Sequence, residues 1–189
     1  MNSRSRTRNI VLISLTVALT TAGAYLRVPV GPVPISLQTL FVLLAGALLG
    51  PWLGAAAMAC YIILGLIGLP LFTGGGGPQY ILSPTFGFLL SFPVSAMVVG
   101  LILNPPHNGG SRSTGRKLLA ITVGTGIVYL VGVPWLGLNL LLVQGKKLGF
   151  QALLMMGMVP FLPGDILKIF LASWLIGPVE RTLIQTRRR

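Results

Sequence analysis

Acidic side chains are almost absent from this chain: Asp165 and Glu180 are the only two in 189 residues, which also include one histidine, His107, and one cysteine, Cys60. A single cysteine excludes an intramolecular disulfide, and with one histidine and two acids the usual metal and nucleophile sets lack their members. Cys60 lies in an apolar run and reads as a small helix-packing residue. His107 sits in the turn-rich stretch Asn104-Pro-Pro-His-Asn-Gly-Gly and reads as a solvated connector residue. Charge of either sign is scarce: 8% of residues are charged, 53% are hydrophobic, and the mean hydropathy is +0.87. Soluble domains carry roughly 25% charged residues, so these values predict an integral membrane protein.

What is present sets the architecture. Spanning about 30 Å of hydrocarbon takes about 20 apolar residues, so a chain of this length holds about six helices. The expectation is one all-α transmembrane domain over residues 1–189, a bundle of six helices at about 10–26, 36–49, 52–68, 85–103, 118–136 and 159–176. The first apolar run follows a basic N-terminus but leads into Leu26-Arg27-Val28-Pro29 with no convincing cleavage site, so it is taken as a retained helix. Residues 27–34 hold three prolines and a glycine and form a loop. Helix 2 is short for a crossing, so it begins below the surface or is shielded by that loop. The glycines 74–77 lack the Lys-Ser/Thr of a phosphate loop and fit a lid or pocket wall. Residues 137–157, with Gln144-Gly145-Lys146-Lys147, are expected to form an excursion with a partly interfacial helix.

The net charge of +12 comes from short basic clusters between apolar runs, a topology signal rather than a nucleic-acid surface. Six crossings put both termini on one side. Ten of the fourteen Lys and Arg residues then lie on that side, which is expected to be the cytoplasm of a bacterial cell (inner) membrane. Lys146 and Lys147 run against this pattern.

Asp165 stands in the apolar stretch 158–176 with Lys168 three residues later. An ionised group at that depth costs at least ~2.5–3.5 kcal/mol and needs a partner. Residues three apart share a helix face, so the two charges can neutralise each other or together grip a ligand. The Pro163-Gly164 break before Asp165 places it at a helix start, where backbone amides favour negative charge. Ser36, Gln38 and Thr39, then Thr73, Gln79 and Tyr80, then Ser83 and Thr85 fall at the same end of their helices, so a single pocket near Asp165 is geometrically plausible. Tyr129 serves either that pocket or a neighbouring helix. Trp135 and Phe161 offer flat apolar walls, with interface anchoring favoured for Trp135. On helix 1, Ala18 and Ala22 put two small side chains on one face, open to close approach by another helix, either inside the bundle or on a partner.

In order and spacing, Gly31-Pro-Val-Pro-Ile-Ser-Leu-Gln-Thr39 running into Phe41–Pro51, Gly65-Leu-Ile-Gly-Leu-Pro70 with the glycine cluster, Pro84-Thr85, Gly132-Val-Pro-Trp-Leu136 and Pro160-Phe-Leu-Pro-Gly-Asp165 with Lys168 resemble the BioY family over the whole chain. This is the family of biotin-specific S components of energy-coupling factor (ECF) transporters. The resemblance implies a six-helix S component that captures biotin with no cofactor and is not itself an enzyme. It implies as partners a transmembrane coupling subunit of the EcfT type, two cytoplasmic ATPases of the EcfA type and the lipid bilayer, with no nucleic acid. It places Asp165 and Lys168 against biotin, Gln38 and Thr39 beside them, and Ala18 and Ala22 against the coupling subunit. Two positions depart from the family's usual pattern: Pro84-Thr-Phe-Gly-Phe88, which bears on the pocket wall, and Trp52 after the Gly-Pro turn, which bears on the cytoplasmic contact. Other readings of the residues themselves are an S component for another vitamin or small amphiphile, a membrane structural protein clamped by Asp165 and Lys168, and, weakest, an intramembrane enzyme.

Overall fold

Proline and glycine punctuate the chain where one helix hands over to the next. The computed structural model describes residues 3–29, 33–103 and 113–187, with residues 4 and 179–187 described by their backbone alone. The His107 connector, Arg112 and the side chains of Glu180, Arg181 and the terminal arginines lie outside the described residues. Helix α1 spans Ser3–Tyr25, and a two-residue antiparallel ribbon follows, β1 (Arg27–Val28) pairing with β2 (Ile35–Ser36). Then come α2 (Gln38–Leu49), α3 (Pro51–Leu66), a 3-10 turn at Pro78–Leu82, α4 (Phe86–Leu103), α5 (Thr114–Leu142), the short α6 (Phe150–Gly157), a 3-10 turn at Val159–Phe161 and α7 (Leu162–Arg187).

The helical stretches Ser5–Tyr25, Phe86–Leu103, Thr114–Leu142 and Phe150–Pro178 are long and apolar enough to cross a membrane, whereas α2 and α3 have 12 and 16 residues. At about 1.5 Å per residue α2 reaches only about 18 Å, so it starts beneath the surface, under a loop whose Val33 is buried. Together α1–α5 and α7 form a six-helix, multi-pass bundle in which α2 and α3 are the short members.

Three boundaries lie outside the expected ranges. Helix α1 starts at Ser3 rather than near residue 10; Ser3–Asn9 contains no glycine or proline, and lengthening an existing helix avoids the cost of a new nucleus. Helix α5 runs to Leu142 rather than about 136. Pro134 removes a single ladder bond, while Trp135 Nε1 donates to the Ser83 carbonyl (3.1 Å) and Asn139 Nδ2 to that of Leu82 (2.6 Å), holding the last turns against the neighbouring segment. Trp135 is therefore half-buried and acts as a latch. The excursion correspondingly begins at Val143, turns at Gly145 with φ +66°, and contains α6. Helix α7 continues to Arg187 through Pro178.

Helix α4 sits at the centre, against α2, α3 and α5. Its approach to α2 depends on Gly46, where a Cβ would fall 2.1 Å from the Ala96 carbonyl oxygen. Gly50, at φ +85°, turns the chain from α2 into α3, and Pro51 follows at the first helical position, where no donor is missed. The fully buried Val42, Tyr61, Phe72, Met58 and Ala96 belong to the core, while Ile67, Leu130, Phe170 and Trp174 point outward, the arrangement of a bundle solvated by lipid.

At one end of the bundle, Tyr25 donates to the Pro70 carbonyl (2.6 Å) and Arg27 to that of Thr73, which ties the ribbon to the glycine segment. These connections form a roof over the site.

Candidate functional site

Lys168 and Asp165 lie one turn apart on α7, and both are buried, at 6% and 8% exposure. The Lys168 ammonium is 3.0 Å from Asp165 Oδ1 and donates to the Thr39 hydroxyl at 3.0 Å. Tyr129, from α5, donates its hydroxyl proton to Asp165 Oδ2. Four side chains from α2, α5 and α7 thus form one network in which each carboxylate oxygen has a donor. Desolvating either charge alone is costly, and the pair offsets much of that cost because both ends are also hydrogen-bonded.

The network borders a cavity that opens at its mouth. Its polar lining includes Ser36, Gln38, Thr39, Thr73 and Thr85 besides the charged pair, and Phe88, Leu89, Phe92 and Phe161 supply apolar walls. Phe88, Leu89 and Phe92 follow one another at helical spacing along a single face of α4, and Thr85 lies in the turn just before it. Val33 and Pro34 of the roof complete the wall. The pair faces this space instead of being sealed between helices or turned toward lipid.

Gln38 is oriented from behind. Its Nε2 donates to the Tyr61 hydroxyl at 2.5 Å, and that hydroxyl donates to the Leu71 carbonyl at 2.7 Å. Tyr61 is fully buried, so this bond fixes the side chain facing the cavity. Tyr80 is placed differently from the other expected site residues: it is not among the cavity-lining side chains, and its hydroxyl stands behind Thr85 and Thr73 at 3.0 and 3.2 Å. Phe88, one of the departures from the family pattern, lines the cavity, while Trp52 is 73% exposed and far from it in role. Ala18 and Ala22 are exposed on α1, on the side away from the buried Thr16, Val17 and Thr20. Cys60 is half-buried against the main core cluster, a packing position.

Sequence reasoning missed Thr125, Val128, Leu89 and Phe92 as wall residues and Tyr61 as a support. The four-residue spacing of Thr125 and Tyr129, and of Thr85 and Leu89, was the available signal for the walls. Tyr61 had none, because its role arises from a contact 23 residues away.

A bundle of helices, four stretches of it long and apolar enough to cross a membrane, with a polar cavity roofed by loops at one end defines a multi-pass membrane protein with a candidate solute site. The model of the BioY family matches residues 1–185. A probable biotin transporter BioY of Pyrococcus horikoshii is 37% identical over 164 residues, covering 86% of this chain and 90% of the relative. The biotin transporter BioY of Thermotoga maritima is 34% identical over 167 residues, covering 88% and 92%. The crystal structure of an S-component for biotin from an ECF-type ABC transporter superposes with a TM-score of 0.82 at 27% identity, covering 96% of this chain and 95% of that one. The chain belongs to the BioY family, and its fold is that of an S component.

Proposed function

We propose that this chain is the biotin-capturing subunit of an ECF-type importer, with the cavity beside Asp165 and Lys168 as its vitamin site. It is a transporter component and not an enzyme; ATP hydrolysis belongs to partner subunits. The observation that carries the reading is the buried pair, 3.0 Å apart, opening onto a cavity with polar groups and aromatic walls together.

Biotin offers two ureido N–H donors and a carbonyl, an apolar thioether ring and a carboxylate. Asp165 has acceptor capacity beyond the bonds from Lys168 and Tyr129, and so takes a ureido N–H. The Lys168 ammonium has a third proton beyond those given to Asp165 and Thr39, available to a ligand oxygen. Gln38 and Thr39 supply further polar contacts, and Phe88, Phe92 and Phe161 enclose the ring. Thr85 lines the same wall, with Tyr80 supporting it from behind.

Delivery requires a coupling subunit of the EcfT type and two ATPases of the EcfA type. Ala18 and Ala22 fit that contact because they are exposed and allow a second helix to come close. The chain sits in the cell (inner) membrane with both termini on the cytoplasmic side, which puts the cavity mouth outside.

Calorimetry on the purified chain with biotin and a panel of other vitamins tests the assignment. Tight binding of biotin alone supports it. A preference for another vitamin would make the chain an S component of different specificity, and wild-type biotin affinity in both Asp165→Asn and Lys168→Ala would remove the site.

A further inference from the structure

Thr73 occupies the tip of a tight turn that is held by backbone bonds and by a buried ring. Phe72 and Gly75 exchange backbone hydrogen bonds at 2.8 and 3.1 Å, closing the turn around Thr73 and Gly74. Phe72 is fully buried, edge-on to Tyr61 at 5.4 Å between ring centroids and against Tyr80 at 4.6 Å. Arg27 donates to the Thr73 carbonyl, and the Thr73 side chain lines the cavity.

Behind Thr73 runs a chain of hydroxyls in which the protons can be counted. Thr85 Oγ1 donates to the Tyr80 hydroxyl at 3.0 Å, which spends its only proton. The 2.8 Å contact of Ser83 with Thr85 must then have Ser83 as donor. Tyr80, buried and already accepting from Thr85, has its own proton to place, and Thr73 Oγ1 at 3.2 Å is the acceptor in reach. The direction is therefore Ser83 to Thr85 to Tyr80 to Thr73. Among the described residues no further acceptor takes the Thr73 proton, and each bond in such a chain polarises the next.

We propose that the Thr73 hydroxyl is a hydrogen-bond donor to the carboxylate of the bound vitamin, with Tyr80 as the residue that sets its direction. A donor polarised in this way suits an anionic acceptor. The adjacent Arg27 guanidinium adds positive charge at the same place. The carboxylate thereby has a partner at the roof, leaving the ureido group to Asp165 and Lys168. The proposal rests on biotin being the ligand.

Three ligands test it by calorimetry: biotin, biotinol in which the carboxylate is replaced by CH2OH, and the analogue with sulfur in place of the ureido oxygen. Thr73→Val is expected to lose about tenfold in affinity for biotin and little for biotinol, so that the ratio between those two collapses while the ratio of biotin to the sulfur analogue holds. Tyr80→Phe is expected to show the same pattern at about threefold, and Thr73→Ser to restore biotin binding. Equal losses on all three ligands, unchanged binding, or collapse of the ureido ratio instead would overturn the assignment. Failure of the wild-type chain to bind biotin would overturn the functional reading itself, which separates the two failures. Comparing ligands within one variant keeps a folding defect from imitating the result, and Tyr80→Phe stands in if Thr73→Val does not fold.

Discussion

The Tyr129 hydroxyl donates to the same Asp165 carboxylate that Lys168 holds from its other oxygen. Helix α5 is thereby joined to α7 at its buried charged pair, and the bond shares its acceptor with the candidate ligand site. Binding and helix packing are coupled through Asp165.

Charge removal at Asp165 should have two distinct consequences. Asp165→Asn leaves the Lys168 ammonium buried without its counter-ion, a change of about 3–5 kcal/mol in stability where such pairs are broken. A lower melting temperature in detergent and loss of biotin binding by calorimetry are expected together. The double change Asp165→Asn with Lys168→Met should recover much of the stability and none of the affinity. Recovery of both would show the pair to be purely structural.

Tyr129→Phe keeps the ring as a cavity wall and deletes one bond to a charged acceptor. A fall in biotin affinity of about ten- to a hundredfold is expected, on the scale of about 1.5–3 kcal/mol for hydrogen bonds to charged groups. Unchanged affinity would show that Asp165 needs no orientation from α5.

Tyr61→Phe acts from outside the cavity. It leaves both the Gln38 amide and the Leu71 carbonyl short of a partner, at about 1–3 kcal/mol for a buried group so stranded. Thermal stability should drop and biotin affinity should weaken with it, since Gln38 is no longer held in place. Thermal melts and calorimetry on the same preparation read both effects.

Bulk on α1 should separate capture from transport. Ala18→Leu with Ala22→Leu faces away from the buried side of α1, so biotin binding by the isolated chain should stay within about twofold of wild type, as surface changes generally do. Biotin uptake by cells carrying the coupling subunit and ATPases should collapse. Normal uptake would move the partner contact off this face.

Close packing of α2 on α4 is open to a direct test. A methyl at Gly46 would meet the Ala96 carbonyl at 2.1 Å, so Gly46→Ala should force the helices apart at about 1–3 kcal/mol, read as a lower melting temperature.

Composition and pattern alone determined that this is a helical membrane protein, and that Asp165 and Lys168 are a pair. Each of these follows from local rules: apolar runs partition into lipid, prolines and glycines end helices, and residues three apart share a face. The polar residues Gln38, Thr39, Thr73 and Thr85 were likewise legible as a group, because all fall at the start of a helix or in the connections at the same end of the bundle. Only the tertiary structure decided that Tyr129 reaches Asp165, that Thr39 completes the Lys168 network, that Tyr61 stands behind Gln38, and that Tyr80 supports the cavity wall instead of forming it. Those contacts join residues 5 to 129 positions apart. Which side chains meet depends on how each helix is rotated and how closely it approaches its neighbours, down to the missing Cβ of Gly46, and a helix's own sequence carries no record of that rotation.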